Sequence, residues 1–486
     1  MVDPDNGTPL SGRQQIEETL EEGVPVTNTE RVGNTVWKSV DDDYQTKIDE
    51  AGAGGTVIFE PGDHGLPSSK VTLPTPADGE YGITLWGYGA RVKCLQNDWT
   101  FEGTSNSNYD TSNNISGHRI LGFNFYQDSW ADRGQGAIHF DGALQSLVRD
   151  CDGVYLVYGV KDEATNGFSW ANKYLDNDFE VVQRPIWVDG SHDTIVRGNH
   201  IEGRSGRVSG SFVFDDAEGA AAGISFVNTV NGQISGNEIE VMRGDGGEAK
   251  GVLIKDHNNN LEYDNNYVEG ADRGVVIDYS TDTASQTSDL NITDSLGVID
   301  NTGVDWTCPN TDVQITLDGC RTGLVNVTGD CRNLNLAWTG GQRITASEIA
   351  VQSDDGTVDI TGVGADNVPG ASVGIFNGVY QSVTVSGGSF DELVLSNVTA
   401  TDVSLSTLNI HDNRLEVSGG SGSSVTRMTV NGVTQSANGF SQFLLVGSGS
   451  TISNLLGDGN ATGNGTAVTN SGTISSNTLS VETNAT

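Results

Sequence analysis

The chain has 486 residues, 65 of them acidic and 25 basic, and a formal net charge of −40 at pH 7. With no basic stripe to neutralise phosphates, nucleic acid is not an expected partner, and with no apolar run of bilayer-spanning length, membrane insertion is not expected. Only eight of the basic residues are Lys, while eight Trp and well-patterned strands speak against disorder, so the surplus carboxylate suits a folded protein made for high salt.

The first ten residues, Met1–Leu10, are polar and acidic and carry no export signal. Ser11 to Gly23 read as a short helix and residues up to Trp37 as extended chain, giving a leader or attachment segment over 1–39. A second short helix is predicted over Asp41–Ala51, with Tyr44 and Ile48 on one face. Strand-like runs follow at Thr56–Phe59, Val71–Leu73 and Ile83–Trp86, punctuated by Glu60-Pro61-Gly62 and Gly87-Tyr88-Gly89. This order of helix, Gly-Gly-Thr-Val strand, Pro-Gly turn and Gly-x-Gly turn resembles the N-terminal cap of the pectate-lyase-like right-handed parallel β-helix superfamily. The resemblance implies an all-β solenoid closed by a short capping helix. It says little about chemistry, because such scaffolds host lyases, hydrolases, binders and viral spikes.

The centre of the chain repeats. Apolar–any–apolar triplets begin at Ile138, Ile186, Ile224, Val252 and Val275. Asn199 and Asn237 each fall 13 residues after the first triplet position, with Asn265 or Asn266 at the matching place in the next copy. Unequal repeats of this kind are the signature of stacked coils. Strand alternation turns the first and third triplet positions inward and the second and fourth outward, and the stacked asparagines read as an internal amide ladder. The solenoid is assigned to 40–290. From 291 to 486, Ser, Thr, Gly, Val and Asn dominate; this β-rich region reads as a continued solenoid, a β-sandwich or an oligomerisation stalk. The five cysteines (94, 151, 308, 320 and 331) form no Cys-x-x-Cys, so neither zinc nor a disulfide framework is expected.

The outward positions supply the candidate chemistry. Asp141, Asp189, Lys255 and Asp278 could act as acid, base or ion-pair groups, and His139 and Trp187 could contact a sugar. Trp130, Trp170 and Tyr174 fall in polar bulges where aromatic rings could stack on sugars or lid the core. Glu202, Glu240 and Glu269 form a second ladder whose repulsion a Ca²⁺ ion would relieve; no cofactor is otherwise expected. The same positions also suit a plain solvated face of an acidic protein.

In its short polar leader, capped solenoid and Gly/Ser/Thr-rich distal part, the chain resembles the β-helical tailspikes of tailed viruses. That resemblance implies a spike, fibre or turret of a halophilic archaeal virus, forming homotrimers, contacting other virion proteins and recognising a host surface polysaccharide or glycoprotein. Two readings stand beside it: an extracellular polysaccharide lyase or glycoside hydrolase, and a non-catalytic cell-surface adhesion solenoid.

Overall fold

The computed structural model describes residues 34–77, 80–104, 117–165, 169–203, 214, 221–256, 261–278, 290–296, 302–307, 311–318, 325–328, 331–339, 348–352, 356–361, 372–390, 392–411, 415–435, 442–462 and 466–484. The leader helix expected at 11–23, Cys308 and Cys320 lie outside them. The chain divides into two compact units, Met1–Phe212 with Ala222–Glu238, and Val213–Ala221 with Ile239–Thr486. Each is built from parallel strands paired to the next turn, as in a β-solenoid.

In the first unit one helix is present among the described residues, Tyr44–Ala51. Asp43 caps it, its carboxylate accepting from the Thr46 amide at 2.9 Å. Tyr44, Ile48 and Ala51 are its buried side chains, as the sequence pattern requires. The interior is a row of apolar side chains at matching register: Val71, Phe101, Ile138, Val160, Ile186 and Ile224 are aligned strand to strand, each no more than 1 % exposed. Adjacent turns must keep register because a one-residue slip would turn this row to solvent. The Ile186-to-Ile224 alignment is the one the repeat predicts.

The second interior row runs Gly103, Phe140, Asp162, Val188, Phe226. Here the strand Asp152–Glu163 is a further copy of the repeat that the triplet pattern does not reveal. Its inward pair is Val160 and Asp162, so the third position is a carboxylic acid instead of a hydrocarbon. Asp162 is fully buried and accepts hydrogen bonds from Ser169 Oγ and Asn172 Nδ2, the latter at 3.0 Å. Burial, only partly offset by these donors, pushes its carboxyl up to about 6.

At one corner of three successive turns a left-handed residue is followed by the ladder position: Asp176 then Asn177, Gly198 then Asn199, Gly236 then Asn237. Asn199 Oδ1 accepts from the Asn177 amide and side chain at 3.0 and 2.9 Å, and Asn237 Oδ1 accepts likewise from Asn199. The ladder thus satisfies buried backbone N–H groups where the chain turns and the strand ladder is interrupted. Asn177 belongs to it as well as the two asparagines read from the repeat.

The second unit repeats the principle. Val252, Val275 and Val304 align, as do Ile254, Ile277 and Trp306, all buried. Of the Asn265/Asn266 alternatives, Asn266 is the buried one, while Asn265 takes the left-handed backbone conformation. Farther along, Val373, Leu393, Leu415 and Leu444 form one interior row, and Val383, Val403, Met428 and Leu455 another. Every registered pairing between these strands is parallel, from turn to turn.

Candidate functional site: a lateral face of the first unit

Three outward rows lie beside the interior rows of the first unit. Their registers are Trp99–Gly136–Tyr158–Arg184, Glu102–His139–Lys161–Trp187–Ser225 and Thr104–Asp141–Glu163–Asp189–Val227. Strands about 4.8 Å apart bring these groups into contact across turns.

His139 is the centre of the face. Its Nδ1 lies 3.2 Å from Glu102 Oε1 and its Nε2 lies 2.7 Å from Glu163 Oε1. The other oxygen of Glu102 pairs with Lys70 Nζ at 2.7 Å, and the other oxygen of Glu163 pairs with Lys161 Nζ. The result is a chain, Lys70–Glu102–His139–Glu163–Lys161, in which both glutamates use both oxygens. Each glutamate thus bridges an ammonium group and the imidazole, which holds the ring in place from both sides.

Aromatic rings cover this chain. The Trp99 indole stacks on the His139 ring at 4.7 Å and 21°. Tyr158 lies 5.3 Å from Trp99 and 6.5 Å from Trp187. The Arg184 guanidinium sits 5.3 Å from the Tyr158 ring and 5.1 Å from the Trp187 ring, and donates to the Tyr158 hydroxyl. Gly136 makes room for this arrangement: a Cβ there would fall 2.1 Å from Trp99 Cζ3. Trp99, Tyr158, Arg184 and Trp187 are all half-buried, so their outer surfaces stay open to solvent.

The candidates from the sequence are distributed as follows. Asp141 and Asp189 flank Glu163 in one register row. Lys255 and Asp278 are register neighbours in the second unit. Trp187 belongs to the aromatic row. His139 and Asp141 do occupy outward positions, but the expected open groove is corrected: they are only 7 % and 6 % exposed. Trp99 and the two glutamates close over His139, and Thr165 closes over Asp141, donating from its amide at 2.9 Å and its hydroxyl at 2.7 Å. Tyr174 is also corrected, from surface bulge to interior. It is the middle, inward residue of the Lys173–Leu175 strand and is fully buried. Its hydroxyl is out of hydrogen-bond geometry but within electrostatic reach of Asp162; burial and that neighbour raise it well above the usual tyrosine range. Trp170 is half-buried on the Ser169–Trp170 strand, its indole N–H donating to Asp193. Trp130 is half-buried, with the Arg133 guanidinium 4.9 Å from its ring.

Glu202 is the register partner of Glu180. Glu240 and Glu269 lie in two paired strands of the second unit, and Glu269 accepts from the Tyr267 hydroxyl. Among the described residues no group of three or more His, Cys, Asp or Glu is placed to hold a metal ion. Cys94 and Cys151 are buried thiols, both pushed up to about 12 by burial.

The residues that sequence reading missed are Trp99, Glu102, Tyr158, Lys161, Glu163 and Arg184. A signal for two of them, Lys161 and Glu163, was present: Val160-Lys161-Asp162-Glu163 is a repeat copy with an acid in the third position.

No protein-family model matches the chain, and no curated protein matches it. Solved structures do align with it along most of its length. The catalytic domain of a GH87 alpha-1,3-glucanase in complex with nigerose is 10% identical, covering 93% of this chain and 68% of that one, with a TM-score of 0.34. The tailspike protein of E. coli bacteriophage HK620 in complex with a pentasaccharide is 12% identical over 92% of this chain and 78% of that one, with a TM-score of 0.30. The A-module of the Azotobacter vinelandii mannuronan C-5 epimerase AlgE6 is 13% identical over 93% of this chain and 98% of that one, with a TM-score of 0.23.

Proposed function

We propose that the lateral face of the first unit is a platform for polysaccharide. The observation that carries this reading is the row of half-buried rings, Trp99, Tyr158 and Trp187, seated on a prearranged chain of carboxylates and cations. Ring faces cover the apolar faces of sugars, and fixed charged groups beside them bond hydroxyls. The rings need little ordering on binding, because neighbouring turns already hold them. Recognition is favoured over bond cleavage here because Glu102 and Glu163 spend both oxygens within the protein, and Asp141 is held by Thr165.

The wider setting that fits is a spike, fibre or turret of a halophilic archaeal virus, with host surface glycan as partner and a homotrimer as the working form. The net charge of −40 supports the high-salt part of that reading. Within it, 1–39 serves attachment, 40–290 is the capped recognition solenoid with Tyr44–Ala51 as its cap, and 291–486 extends it. Lys255 and Asp278, register neighbours in the second unit, are not assigned to the platform.

The test is binding of the full chain, in high salt, to an array of neutral and uronate-containing microbial surface polysaccharides. Trp99→Ala and Trp187→Ala are each expected to weaken binding by about tenfold, the scale of one lost aromatic contact. Absence of binding to every polysaccharide, or binding that neither substitution changes, refutes the platform. New reducing ends on incubation would replace the binder with a hydrolase.

A further inference from the structure

Beside the platform, the first unit holds an open cleft of about 590 Å³. Its walls are the segments that follow successive strands: Leu66 to Lys70, Leu95 to Asp98, and Gln127 to Asp132. Its volume falls within the range of small-ligand sites, about 300–1,000 Å³.

Two features tie the cleft to the platform. Asp98 in the cleft wall immediately precedes Trp99, the ring that stacks on His139. Lys70, also in the wall, holds Glu102 at 2.7 Å, and Glu102 in turn holds His139. One ion-paired chain therefore runs from the cleft to the aromatic row.

The lining defines a ligand class. Lys93 is paired with Asp128, and Lys70 lies 4.0 Å from Asp98. Each pair offers a donor and an acceptor side by side, the pattern that vicinal hydroxyls match. Asp132 adds a third carboxylate against two ammonium groups, so no positive surplus exists to hold a uronate, sulfate or phosphate. Leu66, 53 % exposed at the rim, supplies an apolar contact. Buried Gln127 fixes one wall by donating to the Cys94 carbonyl.

We infer that this cleft is a subsite for a neutral, hydroxyl-rich sugar unit, and that it takes the continuation of the glycan lying on the Trp99–Trp187 platform. The inference rests on the platform reading, and it adds a dependence on chain length that the platform alone does not require. A short oligosaccharide engages the rings only. A longer one also enters the cleft, and the second contact is then intramolecular.

The experiment uses the full chain and the neutral polysaccharide that it binds best on the array, partially hydrolysed and fractionated by length. Wild-type affinity is expected to rise stepwise with length. Asn97→Trp and Ser69→Trp, two separate substitutions that fill the cleft from different segments of its lining, are expected to abolish the step, about tenfold, while leaving the shortest binding fraction unchanged. Trp99→Ala weakens every fraction. Thermal melts confirm that each variant is folded, and the unchanged short-fraction affinity is itself a folding control. If the wild type binds all lengths equally, if both filled variants keep the step, or if only uronate-bearing chains bind, the subsite is refuted and the platform stands. If no polysaccharide binds at all, the platform itself has failed.

Discussion

The two units solve one folding problem with different interiors and different surfaces. In the second unit the registered inward rows between Val373 and Leu455 are mostly aliphatic, joined by Met428, Tyr380 and Phe443, with buried Ser423 and Ser450 accepting from backbone amides at the turns, and the outward positions are mostly Ser, Thr and Asn. In the first, the interior rows are interrupted by Asp162, the turns are held by an asparagine ladder, and the outward rows carry Trp, Tyr, His, Glu and Lys. The comparison teaches that a solenoid needs only an in-register apolar stack to stand. The first unit adds to that stack a buried acid, an asparagine ladder that satisfies turn amides, and the outward aromatic and charged rows to which recognition is proposed to belong.

The largest expected effects break the interiors. Asn199→Ala would orphan the buried Asn177 backbone N–H and remove the Nδ2 donor to the Tyr174 carbonyl and Asn237 Oδ1, and should cost about 3–5 kcal/mol in denaturant unfolding. Leu405→Ala in the second unit removes only hydrocarbon from a fully buried row, for about 2–4 kcal/mol. A smaller loss at Asn199 than at Leu405 would mean that the ladder is decoration and that the first unit, too, stands on its apolar stack alone.

Next comes the acid in the interior. The Asp162 carboxyl, at about 6 in the folded chain against 3.8 for an ordinary aspartate, is raised. A raised group contributes stability that is complete below the ordinary value and is lost as pH rises through the folded one. Asp162→Asn, neutral at all pH, should therefore match the wild type near pH 3.5 and exceed it by roughly 1–3 kcal/mol at pH 7 and above. Melting temperatures measured across this range check the sign, and a variant less stable than wild type at pH 8 would show that the Ser169 and Asn172 bonds outweigh the cost of burying the charge.

Gly136→Ala sharpens the surface side of the comparison. The new Cβ would occupy the space of the Trp99 ring edge, a side chain that can swing away. Stability should change by less than about 1 kcal/mol, whereas glycan affinity should fall about as far as in Trp99→Ala. Equal losses in both would make Trp99 a packing residue.

These sites were unequally legible in the sequence. Ile186, Ile224, Asn199 and Asn237 could be read because inward positions must repeat their chemistry at each turn. The platform could not, because its members come from strands separated by unequal loops: Glu102 and His139 are 37 residues apart, His139 and Glu163 only 24. Asp162 hid one copy of the repeat by breaking its apolar rule, and with it Lys161 and Glu163. Outwardness was legible but burial was not: His139 points away from the core and is still covered, by residues that only the register brings to it. Tyr174 was misread because a three-residue strand carries too little alternation to show which way its centre faces.

The smallest expected effect tests whether charge pairs on the two units differ in kind. In the second unit Arg427 Nε and Asp402 Oδ1 lie 2.7 Å apart across neighbouring strands, with side chains 57 % and 38 % exposed. Exposed pairs of this sort contribute about 0–1 kcal/mol and are screened by salt. Asp402→Asn should therefore be almost silent in denaturant unfolding, and wholly silent in molar salt. His139→Gln in the first unit should not be silent, because it leaves Glu102 and Glu163, 23 % and 16 % exposed, facing each other without the imidazole between them. Lys70 and Lys161 still hold their outer oxygens, so the loss should be partial, about 1–2 kcal/mol, and should persist in high salt because the groups are shielded from solvent ions. Equal salt-sensitive losses for the two variants would place the His139 chain among ordinary surface ion pairs and remove the rigid base on which the aromatic row depends.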